Sequence, residues 1–284
     1  MIKQFIFILA FLFLNATNAF SQKDSQFYTS GTYIISAICK DGVVLAVDSK
    51  AIINVPGKGD AICGYYDSEP KIYQIRNCIV AFKGPLNLNG VFLAKYITEF
   101  RETLYEDMDV SDCIVRFANF IHSKYKDAES DFSNLNILGI SNFGNRLRVC
   151  HAIAKEYRSI YSDDKGVLSS NKGSHFGFDS LSKYNADYCI KRSCDEIGKL
   201  MESEINSYAK RENDLGVGGK IIIAKITKDN KIIWNKNKPN PHRWMTEKDL
   251  LKDYKNRKLK IIFTSKECED IFIETVDNFL LKNY

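Results

Sequence analysis

Two neighbouring segments constrain the fold most, because they are almost continuously apolar and are separated only by a tight turn. Strands are predicted at residues 32–40 and 43–51, and an Asp-Gly pair at Asp41 and Gly42 favours a hairpin turn between them. A strand without polar alternation must be covered on both faces. The hairpin is therefore predicted to lie inside a layered structure.

The rest of the chain alternates between strand and helix patterns that supply such layers. Strands are predicted at 71–76, 78–83, 134–141, 146–154, 175–178, 217–227 and 231–234, and helices at 88–104, 112–126 (capped by Ser111) and 185–210, with a polar loop at 54–69. This order fits an α+β fold of the four-layer αββα type, with two stacked sheets between helical layers. We expect one domain at residues 32–234 and a C-terminal extension at 235–284.

The first residues have the layout of a secretory signal peptide. Lys3 precedes an apolar run at residues 5–14, and small and polar residues follow as far as Ala19. The run is too short for a hydrocarbon core of roughly 30 Å, which needs about 20 residues. The sequence predicts a cleaved signal at residues 1–19, a periplasmic or extracellular location, and no stable membrane span after cleavage.

Composition disfavours several other classes of protein. The net charge of +5 is mild and the lysines are scattered, which argues against a nucleic-acid partner. The eight cysteines include no CxxC pair, and the four histidines have no zinc spacing with them, so no metal is expected. Most cysteines lie in apolar patterns and are interpreted as buried free thiols, although their redox state stays open.

Three stretches carry a specific resemblance. GTYIISAICKDGVVLAVDSKA, starting at Gly31, resembles the start of a mature catalytic proteasome beta subunit, which belongs to the N-terminal-nucleophile (Ntn) threonine hydrolases. PKIYQIRNCIVAFKG resembles that family's lysine-bearing strand pair, and DLGVGGKIIIAKI resembles its Asp-x-x-Ser-Gly-Gly turn. The resemblance runs from Thr32 to about Trp234 and implies autocleavage of the Gly31–Thr32 bond, which leaves residues 20–31 as a propeptide.

The chemistry of an N-terminal threonine gives an independent reason for that bond. A threonine hydroxyl is a poor nucleophile until a nearby base removes its proton. An α-amine, with a pKa of about 7.7–8.0, can serve as that base near neutral pH, and the Thr/N-terminal-amine arrangement is an established variant of the serine triad. Thr32 would supply both nucleophile and base, and no cofactor is implied.

The resemblance assigns the supporting roles. Lys71 would depress the pKa of the amine, and Asp48, sixteen residues after Thr32, would pair with Lys71. Gly84 would donate its backbone N–H to the oxyanion, and Asp214 would either orient the threonine or shape the glycine turn. The implied function is cleavage of peptide or amide bonds, with a possible homo-oligomeric ring.

Departures from the family pattern leave alternatives open. Tyr33 replaces a small residue, the loop between Asp48 and Lys71 is longer than usual, and the two supporting serines are absent, with Val217 in one position and the stretch at Phe178 in the other. An amidase acting on small secreted or cell-wall amides, or a catalytically silent ring or scaffold subunit, therefore stays open beside the peptidase.

Overall fold

The computed structural model describes residues 28–30, 32–55, 61–88, 90–125, 132, 135–153, 161–163, 169–171, 186–211, 216–240 and 244–282. The strands are β1 Tyr28–Ser30, β2 Ile34–Cys39, β3 Gly42–Val47, β4 Ala51–Asn54, β5 Ile62–Tyr66, β6 Ile72–Ile75, β7 Cys78–Lys83, β8 Asn87–Leu88, β9 Val91–Phe92, β10 Asn136–Phe143, β11 Arg146–Ile153, β12 Tyr161–Asp163, β13 Ser169–Asn171, β14 Ile222–Thr227, β15 Ile232–Lys236 and β16 Ile261–Phe263. The helices are α1 Leu93–Glu102, α2 Val110–Lys124, α3 Ala186–Cys189, α4 Cys194–Arg211, α5 Glu247–Lys255 and α6 Lys266–Lys282.

Two five-stranded antiparallel sheets form the centre of the fold. Their strand orders are β13-β2-β3-β14-β15 and β12-β11-β10-β7-β6. Apolar residues of both sheets meet in one core between them, including Ile34, Leu45, Ile79 and Leu138. Every residue of the predicted hairpin strands β2 and β3 is buried, as their unbroken apolar pattern requires.

Helices cover the outer faces of this sandwich. Helix α4 packs on the sheet that contains β2, where Ile197 and Met201 meet the alternate hairpin residues Ile35 and Val44. Helices α1 and α2 pack on the other sheet through a second core. The predicted α+β, four-layer αββα class is confirmed.

One long helix predicted at 185–210 is divided in two. Helix α3 ends at Cys189, and α4 begins at Cys194. Ser193 and Glu196 explain the new start: the Ser193 N–H donates to the Glu196 carboxylate at 2.9 Å, and the Glu196 N–H donates to the Ser193 hydroxyl at 3.3 Å. This reciprocal capping box favours a fresh helix N-terminus over continuation.

Helix α2 begins earlier than predicted. Its N-cap is Asp109 and not Ser111, because the Asp109 carboxylate accepts the Ser111 N–H at 2.9 Å. A predicted short strand at 175–178 lies outside the described residues.

The predicted loop at 54–69 contains strand β5, which pairs with β4 on one side and with β16 of the C-terminal segment on the other. The resulting third sheet has the order β1-β4-β5-β16. Trp244 and Phe272 of the C-terminal segment are buried in the same core as α1 and α2. The segment therefore docks on its own domain, whereas the proposed domain limits stay predictions.

All eight cysteines are described and buried, and none of them forms a disulfide. Among the residues that the structure describes, no helix is both long and apolar enough to cross a bilayer.

Candidate active site

A buried ion pair joins the end of β3 to the start of β6. Lys71 Nζ lies 3.2 Å from Asp48 Oδ2, and both side chains are 0% exposed. Since β3 and β6 belong to different sheets, the pair bridges the two central layers. Two charges withdrawn from water need close geometry and further hydrogen bonds to be tolerated. The structure thus brings together two of the residues that the sequence singles out.

Three backbone N–H groups complete the surroundings of the Asp48 carboxylate. The Tyr33 N–H donates to Oδ1 at 2.7 Å, and the Lys50 and Gly218 N–H groups donate to Oδ2 at 3.2 and 3.1 Å. With the Lys71 ammonium, which also donates to Oδ2, the carboxylate accepts from four donors, and a carboxylate that accepts several hydrogen bonds is stabilised in its charged form. Burial raises the pKa of Asp48, but the charge of Lys71 and the N–H groups of Tyr33 and Gly218 oppose that rise. The arrangement favours the ionised carboxylate.

The Lys71 ammonium has its own set of partners. It donates to the Lys50 carbonyl as well as to Asp48. Burial lowers the pKa of Lys71, and the negative charges of Asp48, Glu69 and Asp67 oppose that change. Glu69 is only 2% exposed, so its charge acts on Lys71 with little screening by water.

Thr32 is tied to this pair through the next residue. The Tyr33 N–H donates to Asp48, and the Tyr33 carbonyl accepts the Asp48 N–H at 3.3 Å. These two hydrogen bonds hold Thr32, which is 3% exposed, at the same end of the sheet as the ion pair. The bulky ring of Tyr33 packs into the helical layer against Tyr208, with ring centroids 4.9 Å apart.

Gly84 lies just beyond β7, the strand paired with β6. The Phe82 N–H donates to the Lys71 carbonyl at 2.9 Å, so Gly84 is two residues past the partner of Lys71. Its φ of +117° suits glycine and strains other residues.

Lys83, next to Gly84, is a cation that the sequence analysis did not single out. Burial lowers the pKa of Lys83 to about 8. Burial, together with the charge of Lys83, lowers the pKa of His151 to about 4.

The glycine turn before β14 packs against the end of β3. Gly218 and Gly219 have φ of +138° and +71°. A Cβ on Gly219 would lie 2.7 Å from Asp67 Oδ1 and 3.0 Å from Ser49 Oγ. The close approach brings the Gly218 N–H within reach of Asp48, and it depends on the absence of side chains.

Two predicted site residues, Gly31 and Asp214, lie outside the described residues, as does the stretch at Phe178. Val217, which stands where the resemblance expects a serine, is 6% exposed and packs into the core under α4. That position therefore contributes packing and no hydroxyl.

Sequence reasoning missed the Lys50 carbonyl, the Gly218 N–H and Glu69. Backbone groups have no signature of their own in a sequence. Glu69 left a weak signal, since an acidic residue two positions before Lys71 is unusual in a buried setting.

The assembled groups are a threonine hydroxyl, a carboxylate, an ammonium and a glycine backbone at a strand end. This set suits acyl transfer, in which a hydroxyl attacks a carbonyl and fixed donors stabilise the oxyanion.

Among the described residues, no group of three or more His, Cys, Asp or Glu side chains is arranged to hold a metal ion.

The fold is similar to that of solved Anbu structures. A mutant of Anbu from Hyphomicrobium sp. strain MC1 matches with a TM-score of 0.52 at 13% identity, over 89% of this chain and 96% of that one. Anbu from Yersinia bercovieri, described as an ancestral beta-subunit, matches with a TM-score of 0.52 at 12% identity, over 79% of this chain and 94% of that one.

No family model and no curated protein sequence matches the chain. The sequence-based recognition as a member of the proteasome beta-subunit-like Ntn threonine hydrolase family is therefore wrong as a family assignment. The neighbours are Anbu structures, and at 12–13% identity the likeness is one of fold alone.

Proposed function

We propose that this chain is an exported threonine hydrolase that cleaves peptide bonds through an acyl-enzyme on Thr32. The observation that carries the proposal is the buried Asp48–Lys71 ion pair, held next to Thr32 by the Tyr33 N–H. Burial of a charge pair carries a large desolvation penalty that lowers the stability of the fold. Residues whose pKa is strongly perturbed and that share a site with a nucleophile are candidates for catalysis.

The first step would free the Thr32 amine. The Thr32 hydroxyl attacks the Gly31 carbonyl, the Gly31–Thr32 peptide bond breaks as an ester forms, and the proton of the hydroxyl passes to the departing amine. Water then hydrolyses the ester and releases residues up to Gly31 as a carboxylate. The glycine before Thr32 suits this step because it permits the required backbone distortion.

Turnover would use the same groups with the new amine as base. The amine takes the hydroxyl proton as the Thr32 oxygen attacks a substrate carbonyl, and the Gly84 N–H donates to the oxyanion. The ammonium then protonates the leaving amine, and an ester of Thr32 remains until water hydrolyses it. The positive charge of Lys71 would keep the pKa of the amine low enough for it to be neutral near pH 7.

Extended peptides are the favoured substrates. Residues 28–30, just before Thr32, pair with β4 in register, with Ser30 opposite Ile52. The chain on the N-terminal side of the bond to be cut therefore lies as an added strand, and peptide recognition by strand addition uses the same backbone hydrogen bonds.

Covalent trapping tests the proposal. Protein is incubated with a β-lactone, whose ring opens on an activated hydroxyl to give an ester that carries the whole lactone mass. We expect one adduct, located by peptide mass spectrometry on Thr32, in the wild type and in the control Thr98→Ala, whose hydroxyl bonds only within α1. Thr32→Ala should show none, and Lys71→Met should react at least about a hundredfold more slowly. A wild-type protein that forms no adduct, or forms it elsewhere, contradicts the proposal.

A further inference from the structure

A cleft opens between the edge strands of the two central sheets, β6 and β15. Its volume is about 430 Å³, and Gln74, Arg76, Arg101, Trp234, Lys238 and Pro239 are among the residues that line it. All of its lining residues belong to the described part of the chain, and the residues of the Asp48–Lys71 site are not among them.

Three cationic residues, Arg76, Arg101 and Lys238, line the cleft, and no carboxylate of the described residues lines it. Arg76 pairs with Asp107 at 3.5 Å, but Asp107 does not line this cleft. Arg101 donates to the Gln74 carbonyl and forms no ion pair with any described residue. Burial lowers the pKa of Arg101, although a guanidinium stays charged in proteins. Arg101 therefore brings a positive charge into the cleft with an incomplete set of acceptors.

An unsatisfied donor lies in the same wall. The Trp234 Nε1 atom is buried and has no hydrogen-bond partner among the described residues. A buried donor without an acceptor is rare in folded proteins and calls for a ligand or an ordered water. An acceptor placed in the cleft would pair with the Arg101 guanidinium, and it would reach the Trp234 N–H once ligand binding uncovers that atom.

We propose that this cleft binds a small organic oxyanion, that is, a carboxylate or phosphate group on an apolar body. The oxyanion would accept from the guanidinium of Arg101 and the indole N–H of Trp234, with Lys238 at the exposed rim. The apolar part would contact the ring faces of Trp234 and Pro239. The inference does not depend on the chemistry proposed for Thr32.

Tryptophan fluorescence offers a direct test. The chain has two tryptophans, and Trp244 is 1% exposed and hydrogen-bonded to Asp253, so Trp234 is the reporter that a cleft ligand can reach. The wild-type chain is titrated at constant ionic strength with benzoate, with its neutral isostere benzamide, and with inorganic phosphate. We expect a saturable change with benzoate or phosphate, no such change with benzamide, and loss of the signal in Trp234→Phe.

Matched variants assign the signal to the cleft. Arg101→Gln should weaken binding at least about tenfold, as expected for a hydrogen bond to a charged group. Lys238→Ala, at an exposed position, should weaken it less and leave the fold intact. Arg116→Gln removes a surface arginine paired with Glu106 and should change nothing.

The responses to the three ligands distinguish the kinds of anion that the cleft binds. Saturation by benzoate but not phosphate assigns the cleft to carboxylates, the reverse assigns it to phosphate groups, and saturation by both supports an oxyanion site that accepts either group. No saturable response to either anion, an equal response to benzamide, or full binding by both Arg101→Gln and Lys238→Ala overturns the inference.

Discussion

The ammonium of Lys71 lies 3.2 Å from the carboxylate of Asp48, and neither side chain is exposed to solvent. Removing one member of such a pair leaves the other buried and uncompensated, which typically costs about 3–5 kcal/mol, whereas removing both members can be close to neutral. The pair can therefore be examined by stability and by activity independently.

Asp48→Asn should lower kcat at least about a hundredfold while the chain stays folded, because Lys71 loses the charge that holds it. Lys71→Met should destabilise the fold by about 3–5 kcal/mol and abolish activity, and the double variant should recover part of that stability without activity. Denaturant unfolding and steady-state kinetics on the four proteins form the cycle. Asp277→Asn, which breaks the exposed pair with Lys255, is the control. Full activity in Lys71→Met would contradict the proposed mechanism.

Gly219→Ala tests the glycine turn against Asp48. The new Cβ would lie 2.7 Å from Asp67 Oδ1, so we expect a loss of stability and of activity as the Gly218 N–H moves from Asp48. Gly144→Ala is a matched control, since Gly144 also has a positive φ, of +58°, but no atom lies within 4 Å of its Cβ. The control should lose only about 1–2 kcal/mol through its backbone and keep full activity. Equal effects of the two substitutions would mean that the turn does not support the site.

Glu247 should make the stability depend on pH. Its carboxyl is buried where the C-terminal segment meets β8, and Asn87 donates to it at 2.6 Å. Burial raises its pKa to about 8, which is above the ordinary value of 4.5. Between these two values the folded state keeps a proton that the unfolded state has lost, so stability falls as pH rises, by at most about 1.4 kcal/mol per pH unit.

Glu247→Gln removes that proton equilibrium. The stability of the variant relative to the wild type should therefore rise steadily from pH 5 to pH 8, as measured by urea unfolding at each pH. Glu274→Gln, at an exposed position on α6, should leave the wild-type profile unchanged. A wild-type profile that is flat over this range would show that Glu247 ionises normally.

Self-association stays a prediction of the sequence resemblance, since a likeness to Anbu at 12% identity shows the fold alone. Light scattering at micromolar concentration should show a closed oligomer. A monomer under all conditions would favour an amidase that acts on small amides.

The sequence predicted the central hairpin from a strong local pattern, two unbroken apolar strands around a tight turn. The pairing of Asp48 with Lys71 was predicted from the family resemblance and not from a local pattern. It did not predict β5, because that strand depends on β16, which lies far along the chain. The loop at 54–69 looks polar on its own, and its pairing partners decide its structure.

The rest of the site was hidden for a different reason. The Gly218 N–H and the Lys50 carbonyl are backbone groups, which any residue possesses, so only their positions in space give them a role. The division of the predicted helix at 185–210 is a smaller case: Ser193 and Glu196 carried a recognisable capping signature, but the helical periodicity on both sides concealed it.

The most direct test of the central claim is intact mass with N-terminal sequencing of the protein recovered from its native host. We predict a wild-type chain that begins at Thr32, and a Thr32→Ala chain that keeps residues 20–31 and has no activity. A wild-type chain that still carries Gly31 and the residues before it would contradict the proposed mechanism, because the amine that activates Thr32 would never have formed.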